Sequence, residues 1–229
     1  KPKAGLNRIV WELERDGIRY PGQSKRDEDK PAPAGYTVAP GEYWLHISYG
    51  DYRDSAQLVV KADPRIDISL REINKKASHV YRFQQEVAKV TQAVDQLRAS
   101  KKAIKWVQGR LKEQEDTVAH TLLKQSGAML DSIRSLEEMI FVPEGTQGIY
   151  RNPDLLRSRL GETSFYLSDP LAPITPNQQL SVQSTLKSMA VFLSKYNAFY
   201  SNTFAPYQQR VAEQELSAFT DWEELTLPD

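Results

Sequence analysis

The chain has 229 residues, 40% of them hydrophobic and 26% charged, a length that carries one large domain or two ordinary ones, each with its own core. Lys plus Arg and Asp plus Glu both number 30, so the whole molecule has no net field that would draw it to nucleic acid or an anionic membrane. The absence of cysteine excludes disulfides, thiolate nucleophiles and zinc–thiolate centres together, and no apolar run approaches the ~20 residues of a membrane span.

The predicted elements begin with β-structure. Lys1-Pro2-Lys3-Ala4-Gly5 has none of the features of a signal peptide and leads straight into a strand, so polypeptide upstream of it is expected. Leu6 to Leu13 alternates, with Ile9, Trp11 and Leu13 on one face and Arg8 and Glu12 on the other. The polar, proline-rich stretch from Tyr20 to Pro40 reads as a long loop. Glu42 to Tyr49 alternates again through Tyr43, Leu45, Ile47 and Tyr49. Gly50-Asp51 signals a tight turn, and Ser55 to Lys61 supplies a third strand through Ala56, Leu58 and Val60. Three strands cannot cover both faces of a core, so an incomplete sandwich is expected, with further strands supplied from upstream.

Asp63-Pro64-Arg65 ends this pattern, and the rest reads as helix. Ser69-Leu70-Arg71-Glu72 has the spacing of a capping box. A heptad follows through Ile73, Val80, Phe83, Val87, Val90, Val94, Leu97, Ile104 and Leu111, which predicts one helix of about 43 residues, roughly 65 Å long, with a break near Ser100 as the rival reading. A second helix, paired antiparallel with the first, carries Val118, Leu122, Met129, Ile133, Leu136 and Ile140 and stops before Pro143. A short helix is predicted around Pro153 to Tyr166. Thr175-Pro176-Asn177-Gln178 opens another, whose stripe is Val182, Leu186, Met189, Leu193, Tyr196 and Tyr200. After a turn, a last helix is predicted from Ala205 to Phe219, ahead of an acidic tail. The reading is α+β in two parts: an immunoglobulin-like or fibronectin III-like β-sandwich module over residues 1–64, then an antiparallel long-helix bundle over residues 65–229.

No arrangement with recognisable catalytic chemistry appears. His46, His79 and His120 are isolated, no Gly-x-Ser-x-Gly turn or His-x-x-x-His pair occurs, and Gly145-Thr146-Gln147-Gly148 lacks the lysine of a phosphate loop. Adjacent carboxylates at Glu137-Glu138 and Glu223-Glu224 point about 100° apart on a helix, poor geometry for acid–base work on one bond. Arg98 to Lys112 holds six basic residues and no acidic one; with zero net charge it reads as a solvated helix face rather than a nucleic-acid patch. The densest aromatic cluster is Phe192, Tyr196, Phe199, Tyr200, Phe204 and Tyr207. Its helical spacing favours core packing, while Tyr196, Tyr200 and Tyr207 are the residues an aromatic sugar platform or interface would use. Trp11 and Trp44 read as core or inter-domain packing. No metal, cofactor or catalytic residue is assigned.

Four segments together resemble a family: Ala4-Gly5-Leu6-Asn7-Arg8-Ile9-Val10-Trp11-Glu12-Leu13, Tyr20-Pro21-Gly22, Ala39-Pro40-Gly41-Glu42-Tyr43, and Val60-Lys61-Ala62-Asp63-Pro64-Arg65. They resemble the C-terminal region of large bacterial sortilin-like β-propeller proteins, often labelled glycosyl hydrolases with BNR repeats. The first strand and the Ala-Pro-Gly-x-Tyr segment also resemble the immunoglobulin-like module of flagellar hook-capping proteins. In the propeller family a sandwich leads into a long-helix bundle, and Pro173-Ile174-Thr175-Pro176-Asn177-Gln178-Gln179 resembles its helix start. The run Lys25-Arg26-Asp27-Glu28-Asp29-Lys30 makes the first loop longer than in that family.

The resemblance implies an exported protein, periplasmic or extracellular, in which any catalysis belongs to an upstream propeller. No Ser-x-Asp-x-Gly-x-x-Trp repeat occurs in this chain, so the hydrolase label does not carry over to these residues. The implied role is a non-catalytic accessory region that packs on the propeller of the same polypeptide and presents a helical surface to another protein. The alternative is a carbohydrate-binding module.

Overall fold

The computed structural model describes residues 3–27, 30–170, 172–214 and 216. The fold is α+β: two small antiparallel sheets of two strands each, then a helical C-terminal part. The strands are β1 (Glu14–Asp16), β2 (Ala34–Thr37), β3 (Gly41–Tyr49) and β4 (Tyr52–Val60), with β1 paired to β2 and β3 to β4. A full β-sandwich is not present among the described residues.

The strand expected over Leu6 to Leu13 is not formed; the chain there joins no ladder, and Leu6, Ile9 and Val10 are exposed. The alternation ends at Leu13, whose φ of +59° places a side-chain-bearing residue in the left-handed region. That turn is held by the Trp11 indole N–H donating to the Glu14 carbonyl (2.7 Å) and by Val38 N–H donating to the Leu13 carbonyl (2.8 Å). β1 begins only beyond it. Its partner β2 lies inside the stretch expected to be all loop, because two glycines allow an unusually close backbone approach. A Cβ on Gly35 would sit 2.1 Å from the Arg15 carbonyl oxygen, and one on Gly17 would sit 2.3 Å from that of Ala34.

β3 and β4 follow the predicted alternation and pair residue for residue from Gly41↔Val60 to Tyr49↔Tyr52. Gly50, with φ of +57°, turns the chain at the hairpin tip.

The helices are α1 (Leu70–Leu111), α2 (Thr117–Glu138), α3 (Leu156–Leu167), α4 (Pro176–Phe199) and α5 (Ala205–Ala212). α1 is continuous for 42 residues, and each of its predicted heptad positions from Ile73 to Leu111 is buried. Its start is the expected capping box: Glu72 N–H donates to Ser69 Oγ (3.2 Å), and Ser69 N–H donates back to the Glu72 carboxylate (3.2 Å). Thr175 and Gln178 form the same reciprocal pair at α4. α2 is capped by Asp116, which accepts from Ala119 N–H at 2.7 Å. Val118, expected on the buried stripe of α2, is exposed in its first turn; Leu122, Met129, Ile133, Leu136 and Ile140 are buried as expected.

The predicted turn before the last helix is instead a π-helical segment over Tyr200–Phe204, in which Ala205 N–H donates to the Tyr200 carbonyl. Pro206 explains it. A proline lacks the N–H for the i−4 bond and crowds that carbonyl in a regular helix, and one wider turn relieves both. Of the predicted span of the last helix, residues 217–219 lie outside the described residues, as does nearly all of the acidic tail.

By packing, the chain forms two compact units, Lys1–Gln92 with Gln147–Ala190, and Ala93–Thr146 with Val191–Asp229. The first groups both sheets with the first part of α1, with α3 and with the greater part of α4. Its core holds Val38, Ile73, Val80, Phe83, Leu156, Leu160 and Val182, joined by the hydroxyl of Thr163 with those of Thr185 (2.8 Å) and Ser181 (2.9 Å). The second unit's core holds Leu97, Ile104, Leu111, Ile133, Ile140 and Phe192.

Candidate functional site

The β3–β4 hairpin presents large apolar side chains to solvent on both faces. On one face the register lines up Tyr43 with Leu58, Leu45 with Ala56, Ile47 with Asp54, and Tyr49 with Tyr52. Only the base of that face is anchored: Tyr43, Leu58 and Val60 are half-buried, the Tyr43 hydroxyl donates to the Ala39 carbonyl, and its ring meets Trp11 edge-on at 5.7 Å. Toward the tip the face opens, with Ile47 57%, Tyr49 68% and Tyr52 82% exposed. The opposite face carries Trp44 and Val59, 59% and 60% exposed, beside His46 paired with Ser55. Trp11 is a packing residue, as expected, its ring against Tyr43; Trp44 is not, since its side chain stands open to solvent among the described residues. Among the described residues each nine-residue strand also has one edge without a ladder partner. Unpaired N–H and C=O groups in a row, between apolar faces, form a template for another strand.

The three candidate tyrosines come together in the second unit. Tyr207 is buried and shares a hydrogen bond with Ser126 Oγ (2.8 Å); Tyr200 shares one with Ser100 Oγ (2.8 Å); Tyr196 donates to Gln96 Oε1 (2.5 Å). Their rings interlock with Phe192, Phe199 and Phe204 at centroid distances of 4.8 to 6.2 Å. Burial raises all three hydroxyl pKa values, Tyr196 to about 12. Each hydroxyl is therefore held neutral and engaged by a neighbouring helix, within the core at Tyr207 and at its half-buried margin at Tyr196 and Tyr200.

One polar cluster was not singled out by sequence. Lys76 is fully buried, and neither its Nζ nor the buried Tyr36 Oη has a hydrogen-bond partner among the described residues. Burial lowers the Lys76 pKa, partly offset by the negative charge of Asp169. Burial, and then the same carboxylate, push the Tyr36 hydroxyl up to about 12. Lys76 falls between Ile73 and Val80 on the heptad stripe, and that position was the available signal. His46, His79 and His120 lie on β3, α1 and α2, and among the described residues no three His, Asp or Glu side chains converge as metal ligands. Glu137 is engaged by Lys101 at 2.8 Å; Glu223 and Glu224 lie outside the described residues. Among the described residues no helix is long and apolar enough to cross a membrane.

Compared with known proteins, the chain matches no family model, no curated protein and no solved structure.

Proposed function

We propose that this chain is a non-catalytic interaction module whose β3–β4 hairpin is completed by β-structure from additional polypeptide. One observation carries the reading: a hairpin of nine-residue strands exposes Trp44, Ile47, Tyr49, Tyr52 and Val59 on its two faces. A two-stranded sheet open on both faces is marginal in water, and a contiguous apolar surface of this kind marks an interface. The occupant is a strand-bearing segment, which would add main-chain hydrogen bonds at an edge and cover one face with alternate side chains. The resemblance to exported sortilin-like propeller proteins supports the upstream propeller polypeptide as its source, with the sandwich complete only in that context.

The test compares the chain alone with a longer polypeptide that includes the natural upstream segment, by amide hydrogen exchange. Slower exchange across β3 and β4 in the longer form, abolished by Ile47→Asp, is the expected result. Unchanged exchange in both strands would overturn the reading.

A further inference from the structure

The basic run of α1 does not form a uniform solvated face. Arg98, Lys101, Lys102 and Lys105 line a concave groove of about 520 Å³ together with Arg134 of α2 and with Phe141, Val142 and Pro143 beyond its end. Glu137, Glu138 and Glu144 share the groove, so five cations face three carboxylates. Two of the cations are satisfied: Lys101 by Glu137 at 2.8 Å and Arg134 by Asp131 at 3.0 Å. Among the described residues Arg98, Lys102 and Lys105 have no carboxylate within ion-pair distance. They stand at i, i+4 and i+7 of one helix, so they share a side and repel one another. The Arg98 guanidinium lies 5.6 Å from the centre of the Phe141 ring, which holds the planar fork against an apolar floor.

We infer that this groove binds a small organic anion carrying at least two phosphate groups. The volume is that of a small-molecule site, roughly 300–1,000 Å³, too small for a duplex or a membrane surface to be its natural occupant. The unpaired charges spread over about 10 Å of helix axis at 1.5 Å per residue, a span that suits two linked phosphates better than one. Arginine supplies bidentate donors at one end and the two lysines supply point charges at the other. The Lys101–Glu137 pair lies beside them and keeps Lys101 in place, while the apolar floor accepts the uncharged part of the ligand.

The probe is inorganic tripolyphosphate, titrated into the full chain by calorimetry. Saturable binding is expected, weakened by at least about tenfold in Lys102→Glu and in Lys105→Glu, the loss of one charge-assisted contact. Both lysines are exposed, and unchanged helicity by circular dichroism verifies that the variants fold. Lys187→Glu, an equal change of charge on α4 outside the groove, is expected to alter affinity by less than about twofold at physiological salt. Equal weakening by Lys187→Glu would overturn the proposal, since binding would then follow net charge. So would the absence of tripolyphosphate binding, including the case in which phosphatidylglycerol vesicles or a single-stranded oligonucleotide bind instead.

Discussion

Helix α1 and the β3–β4 hairpin are both built on regular apolar alternation, yet they end in opposite states. Along α1 the positions from Ile73 to Leu111 are buried at every heptad step. Along the hairpin the equivalent set, Leu45, Ile47 and Tyr49, emerges into solvent two residues past its anchored base. Periodicity dictates which side chains share a face. Whether the face is covered depends on what the rest of the chain places opposite, and a stripe carries no record of that.

The contrast is broken most sharply by matched truncations. Phe192→Ala removes a fully buried ring and is expected to lower stability by about 3–5 kcal/mol, whereas Ile47→Ala, on the open face, is expected to stay within about 0.5 kcal/mol. Denaturant midpoints measure both, and a large effect at Ile47 would mean that the hairpin is covered in solution. Next in size is Gly35→Ala. Its methyl would meet the Arg15 carbonyl at 2.1 Å, and overpacking of this kind costs about 1–3 kcal/mol, read as a lowered thermal midpoint.

The smallest effect has the opposite sign. Lys76→Met replaces a buried ammonium that has no hydrogen-bond partner among the described residues by a side chain of similar length, and is expected to stabilise by about 1–2 kcal/mol. A pH series sharpens it. Lys76 is held below lysine's ordinary 10.5 in the fold, so the unfolded chain binds more protons in the interval between, and stability rises with pH up to that value. Tyr36 and Tyr196 are raised from 10.0 to about 12. The folded state therefore keeps those protons longer, and stability falls between about pH 10 and 12. Lys76→Met is expected to flatten the rising limb and leave the falling one.

The helical part was legible where signals are local. Capping boxes at Ser69 and Thr175 depend on residues three apart, and the α1 heptad needs no knowledge of its partners. The β part was not, because its decisive features act at a distance or against propensity. Leu13 takes a left-handed φ that leucine does not advertise, and β1 with β2 depends on two glycines, Gly17 and Gly35, that are far apart in sequence. The π segment was not legible, because a turn was expected ahead of Ala205, whereas one wide turn before Pro206 lets the helix continue. Of the groove, Arg98 to Lys105 was visible as a basic run, but Arg134 and Phe141 join it only through the fold. The open hairpin face through Leu45 and Ile47 agrees with the incomplete sandwich expected from three strands; the exposure of Trp44, expected to pack, does not follow from the alternation.

The tyrosine contacts of the second unit also settle how its helices can slide. Stripes of valine and leucine are nearly interchangeable from one turn to the next, so apolar packing alone resists a one-turn slip only weakly. Tyr196 answers Gln96, and four residues on, Tyr200 answers Ser100, which makes the two segments run parallel and share a common phase. A slip of one turn in the forward direction would set the Tyr200 hydroxyl against Ile104, an apolar side chain with no acceptor to offer. Leaving a fully buried hydroxyl unsatisfied costs about 1–3 kcal/mol, and the half-buried Tyr200 hydroxyl would lose part of that. Ser126 with Tyr207 ties α2 to α5 in the same manner. Three hydroxyl contacts thus act as a lock, selecting one alignment among several that greasy surfaces would tolerate equally.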